Sequence, residues 1–133
     1  MRILGRETAF KLVYSFLFTK KEDFSLEKEV LTDSELKLSK EAMEFSDRIY
    51  KGVIEKYDEL CEEISKKAVG FKEDRIYLID KAILLVAMYE IKYMEDVPVK
   101  VSANEAVELA KKYSTEKSPS YINGILANVI KEL

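Results

Sequence analysis

Asp80-Lys81-Ala82-Ile83-Leu84-Leu85-Val86-Ala87-Met88-Tyr89-Glu90-Ile91 is the stretch whose reading decides the fold. Apolar side chains surround it on nearly every side of a helical period, so it predicts the central, most buried helix of a bundle. The apolar run from Ile76 to Tyr93 is interrupted by Asp80, Lys81, Glu90 and Lys92. Charges at that density argue against a membrane span and for a helix buried in protein. Gly70 reads as a left-handed stop before it, and Asp74 as a cap for a helix over 75–93.

Toward the carboxyl end, Pro98 breaks the chain, and Ser102-Ala103-Asn104-Glu105 has the Ser-x-x-Glu spacing of a capping box opening a helix to Tyr113. Ser118-Pro119 predicts a last helix over 118–131, with serine as cap and proline in the first turn. Toward the amino end, residues 36–67 keep a helical period from Leu36 through Phe45, Ile49, Val53 and Leu60 to Ile64. That span is long for one helix, and a break over 38–40 is expected. Residues 19–33 read as a polar connection with a short helix over 26–31, and Thr32 with Glu35 as a further capping box. In residues 4–18, Ala9, Leu12, Val13, Phe16 and Leu17 form an apolar face, edged by Arg6, Phe10 and Tyr14 at i, i+4 and i+8. Strand alternation and repeats are absent, so an all-α, compact single domain over 1–133 is expected.

Composition excludes several functions. Histidine is absent, which removes the commonest general base and transition-metal ligand, and no glycine pattern that cradles phosphates occurs. No catalytic residue, metal or cofactor is therefore expected. A single cysteine, Cys61, forbids an internal disulfide and suits a reducing cytoplasm. No leader for secretion is legible, so a cytoplasmic protein is expected. The net charge of −3 is unevenly spread: residues 1–21 hold five basic side chains against Glu7 alone, whereas residues 22–99 hold 12 basic and 20 acidic ones. A basic amino terminus on an acidic body suits a protein that turns one face to a polyanion.

Four segments carry a resemblance to a known family. They are the run from Arg6-Glu7 through Ala9 to Leu12-Val13-Tyr14, the central stretch from Asp80 to Ile91, the stretch Val97-Pro98-Val99-Lys100-Val101-Ser102-Ala103-Asn104-Glu105-Ala106, and Tyr121-Ile122-Asn123-Gly124. In this order and spacing they resemble the NusB family of transcription antitermination factors, most weakly over 19–70. The resemblance implies a bundle of about seven helices in two packed three-helix subdomains. It implies binding of the boxA element of nascent RNA together with NusE, a small-subunit ribosomal protein. It further implies membership of a larger Nus complex on RNA polymerase serving ribosomal RNA operons, with homodimers a possibility in some relatives.

Recognition of single-stranded RNA needs cations for phosphates and flat side chains for bases. By resemblance, Arg2 and Arg6 occupy a family arginine motif that is thin here, since Ile3, Leu4 and Gly5 stand in it. Tyr14 reads equally as a stacking platform or as a half-buried core residue. Lys117 and Ser118, in the turn before Pro119, and Tyr121 after it make the second RNA element. Asn123 is read as holding that turn and Gly124 as permitting close helix packing. Asp80, Glu90 and Pro98 are the expected contacts to NusE, the two carboxylates through attraction to a basic protein. The alternative is a helical adaptor that docks NusE without touching RNA itself. Domains of this kind also head some RNA cytosine methyltransferases, but 133 residues leave no room for a cofactor-binding domain.

Overall fold

The computed structural model describes residues 2–19, 38–68 and 77–133. The short helix expected over 26–31, the Thr32–Glu35 box, and the stop and cap at Gly70 and Asp74 lie outside these residues. Among the described residues there are six helices and no strand: α1 (Arg2–Thr19), α2 (Lys40–Glu55), α3 (Tyr57–Lys67), α4 (Leu78–Tyr93), α5 (Val99–Tyr113) and α6 (Ser118–Lys131). The all-α class is as expected.

α4 is the hub. Every residue from Asp80 to Met88 is buried, and the helix packs against each of the other five. The most extensive pairings besides are α1 with α2 and α5 with α6. One continuous core joins Leu12 and Val13 of α1, Ile49 of α2, Leu60 of α3, Leu85 of α4, Leu109 of α5 and Leu126 of α6. Each such aliphatic side chain contributes about 1.5–3 kcal/mol through burial. No helix of the described residues is long and apolar enough to cross a membrane.

The break expected over 38–40 falls there: Ser39 is the N-cap of α2, its Oγ accepting from the backbone N–H of Ala42 at 3.0 Å. A second interruption, at Lys56, divides the span into α2 and α3. The capping box at Ser102 does not form. α5 starts earlier, at Val99, because Pro98 takes an extended backbone (φ −59°, ψ 133°) and its carbonyl receives the N–H of Ser102 at 3.2 Å. Ser102 is thus inside the helix and fully buried. Ser118 is the first residue of α6 rather than its cap, one position from the expectation, with Pro119 in the first turn as predicted.

Two glycines bring helices together, and Gly124 is not one of them. A Cβ on Gly124 would meet nothing within 4 Å, so close packing does not require it. A Cβ on Gly5 would stand 2.8 Å from the Ala42 carbonyl oxygen, and one on Gly52 would run into the Tyr89 ring. These positions set how closely α1 approaches α2 and α2 approaches α4.

Candidate nucleic-acid interface

The edge of α1 and the carboxyl end of α5 meet through aromatic rings. Phe10 and Tyr113 have centroids 5.3 Å apart, Tyr14 continues the row, and Phe18 packs edge-on against Tyr14 at 4.9 Å. Phe10 is buried, Tyr14 and Tyr113 are half-buried, and Phe18 is 63% exposed. Helical spacing on α1 places Phe10, Tyr14 and Phe18 on one line; the partner ring from α5 was not legible.

Cations surround these rings. The Lys112 and Lys11 ammonium groups lie 5.2 and 5.8 Å from the Tyr113 ring centroid. Glu7 organises them: it accepts from Lys112 at 2.8 Å and from the Tyr113 hydroxyl, with Lys11 at 4.0 Å. Burial alone would push the Glu7 carboxyl up, but those hydrogen bonds, with the Lys112 and Lys11 charges, hold it below its ordinary value. Exposed Lys111 and Lys117 lie on either side in sequence.

The turn that follows Tyr113 is fixed from beneath. Asp80, at the amino end of α4, accepts from Ser114 on one carboxylate oxygen and from Ser118 at 2.9 Å on the other. Ser118 Oγ also accepts from the Thr115 backbone N–H at 3.3 Å and lies 2.8 Å from the Thr115 hydroxyl. This pins both ends of the turn and leaves Thr115, Glu116 and Lys117 facing outward. Tyr121 is half-buried against the core, and burial, with the Asp80 charge, pushes its hydroxyl pKa up.

The structure corrects four of the expected contacts. Arg6 does not face outward for phosphate: it is 3% exposed, and its guanidinium clamps Glu90, 0% exposed, through Nε at 2.8 Å and Nη2 at 2.7 Å. Ser102 adds a donor to the same carboxylate at 3.2 Å. Glu90 is therefore spent inside the bundle, tying α4 to α1 and α5, and offers nothing to a partner. Asp80 and Ser118 are likewise buried, and they shape the turn from within. Pro98 is exposed, and Arg2 reaches the surface but is paired with Asp96. Two of the expected elements, the Tyr14 edge of α1 and the turn carrying Lys117, are joined through Tyr113. Lys11, Lys112 and Tyr113 went unassigned by sequence reasoning; Lys11, one position beyond Phe10, carried the only local signal.

Comparison with known proteins agrees with this architecture. Residues 4–131 match the NusB family. The transcription antitermination protein NusB of Ruminiclostridium cellulolyticum is 43% identical, the similarity taking in 98% of this chain and 88% of that protein. Its counterpart from Agathobacter rectalis is 39% identical, with 92% and 93% covered. The solved structure of T. maritima NusB superposes with a TM-score of 0.86 at 31% identity, covering 99% of this chain and 92% of that one. A crystal structure of the antitermination factors NusB and NusE in complex with dsRNA shares the fold, with a TM-score of 0.88 at 24% identity over 99% and 97% of the two chains.

Proposed function

The chain belongs to the NusB family, and from that premise we propose that it is a transcription antitermination factor that binds boxA-containing nascent RNA together with NusE. Its relatives carry transcription antitermination in their names, and a structure of the same fold holds NusB with NusE and dsRNA. The observation that carries the reading to this chain is the meeting of α1 and the end of α5 at Phe10 and Tyr113. There, lysines and aromatic rings stand side by side, the combination that phosphates and unstacked bases require. Tyr14, Lys11, Lys112, Lys117 and Tyr121 form this face, with Pro98 as a contact for NusE. Asp80 and Ser118 hold its turn in place, and Arg6 with Glu90 holds its helices. No enzymatic step is assigned to any residue. The protein works as a single domain in the cytoplasm, within the larger Nus complex on RNA polymerase.

The adaptor reading has one observation in its favour: the arginines of the family motif are both engaged by carboxylates, Arg6 by Glu90 and Arg2 by Asp96. RNA binding measured by gel shift for this protein, for NusE and for the two together separates the readings. We expect the pair to bind boxA RNA more tightly than NusE alone, and the Lys11→Ala/Lys112→Ala variant to lose most of that gain. Equal affinity of NusE with and without this protein would leave the adaptor reading standing instead.

A further inference from the structure

Away from the aromatic row, two arginines from different helices converge on one surface carboxylate. Arg48 of α2 grips Asp96 through both terminal nitrogens, Nη2 to Oδ1 at 2.9 Å and Nη1 to Oδ2 at 3.1 Å. Arg2 of α1 donates to the same Oδ2 at 3.1 Å. The Arg2 guanidinium also rests over the Phe45 ring, 4.8 Å from its centroid. All three charged side chains are 44–47% exposed. The Asp96 carboxyl is held down to about 2, chiefly by the hydrogen bond from Arg48, so it is ionised at any ordinary pH.

A carboxylate gripped by both arms of one guanidinium and capped by a second offers its oxygens as a phosphate would, since the arginine fork suits both groups. The ring of Phe45 supports the Arg2 guanidinium independently of Asp96, and α2 supplies Arg48 from a regular helix. Two positive charges face one negative charge, so the cluster keeps a net attraction for an anion. Asp96 lies in the exposed bend between α4 and α5, where its side chain can turn toward solvent.

We propose that Arg2 and Arg48 form a phosphate clasp for the RNA backbone, in which Asp96 holds the place of the phosphate until RNA displaces it. The proposal rests on the RNA-binding reading above and adds to it a cation, Arg48, and a carboxylate that competes from within the same chain. An exposed ion pair in water is readily exchanged for another of the same geometry. A phosphodiester replaces Asp96 without any change in the bundle.

The test is binding of boxA RNA in the presence of NusE, over a range of salt, by the unmodified protein and by Asp96→Asn, Arg48→Ala, their combination, and Glu62→Gln. The last removes one negative charge from the exposed face of α3 and controls for net charge. Asp96→Asn should bind roughly three- to tenfold more tightly than Glu62→Gln at low salt, as expected for one additional unscreened phosphate contact. Arg48→Ala should cancel that gain and make the slope of log K against log salt shallower by about 0.7. Helical circular dichroism confirms that each variant is folded. Equal affinities for Asp96→Asn and Glu62→Gln, or a gain that survives Arg48→Ala, would overturn the clasp. Preferential capture of a polyglutamate peptide over RNA by Asp96→Asn would overturn it too, assigning the arginines to a protein carboxylate. Loss of RNA binding by the unmodified protein would instead sink the RNA-binding reading as a whole.

Discussion

Removing the Arg6 guanidinium strands a carboxylate. Glu90 has no exposure, and Arg6 and Ser102 supply its hydrogen bonds, so Arg6→Ala leaves a buried charge without its counterion. The expected cost is about 3–5 kcal/mol in chemical denaturation. Arg6→Lys should recover only part of it, because an ammonium cannot reproduce the two-pronged grip. A loss below 1 kcal/mol for Arg6→Ala, roughly the worth of an exposed pair, would contradict the buried geometry. Glu7 gives a pH signature. Its folded value lies below the ordinary 4.5, so it releases its proton more readily in the folded chain than in the unfolded one. Its stabilisation is therefore complete above pH 4.5 and drains away as the pH falls through the lower folded value. Melting temperatures of the unmodified protein and Glu7→Gln should differ most near pH 6 and converge as the solution is made more acid; a gap that widens in acid would refute the assignment. Neither role was legible in sequence. Arg6 and Glu90 are 84 positions apart, and Glu7 and Tyr113 are 106 apart, so nothing local connects them.

At the scale of the helix, the glycines divide into those that space the bundle and one that does not. Gly5→Ala puts a methyl group 2.8 Å from a backbone oxygen of α2, which has no rotamer by which to yield. The helices must part, at an expected cost of about 1–3 kcal/mol. Gly124→Ala meets open space on the exposed side of α6 and should stabilise the protein by roughly 0.5–1 kcal/mol through backbone entropy alone. Thermal unfolding of the two variants should shift in opposite directions; a shared sign would count against this account of the packing. Periodicity revealed the helical segments, because apolar spacing is local information, but it ran α2 and α3 together across the interruption at Lys56. It also misplaced the start of α5, where Ser102 matched a capping pattern. Pro98 starts the helix earlier, and the serine hydroxyl faces Glu90 in the interior. A sequence pattern for a cap requires an exposed helix end, and only the fold decides which end is exposed.

Across the whole molecule, the overall charge of −3 conceals a cationic patch. Lys11, Lys112 and Lys117 share the proposed face with one organising carboxylate, Glu7. If these three lysines each neutralise a phosphate of single-stranded RNA, log K should fall against log salt with a slope of roughly −2. Fluorescence anisotropy between 50 and 300 mM salt measures it, and a flat response would exclude phosphate contact as the source of affinity. The uneven charge was visible along the chain, and so was the candidate face in outline, through Tyr14 and the turn before Pro119. Which cations serve it was not, because the arginines that local context favoured lie against carboxylates distant in sequence, Glu90 in α4 and Asp96 in the bend after it.

The grip of Arg6 on Glu90 also bears on how the protein is made. α1 leaves the ribosome before α4, and the carboxylate that locks it is encoded 84 residues after Arg6. At roughly 5–20 residues per second, that interval lasts about 4–17 s, during which α1 can pack on α2 but its guanidinium stays unmatched. The helix bearing the Tyr14 edge is thus made well before the carboxylate that locks its guanidinium. Because Tyr113 and the turn beside it emerge later still, the proposed face is incomplete in a nascent chain until residues 113–118 have been made.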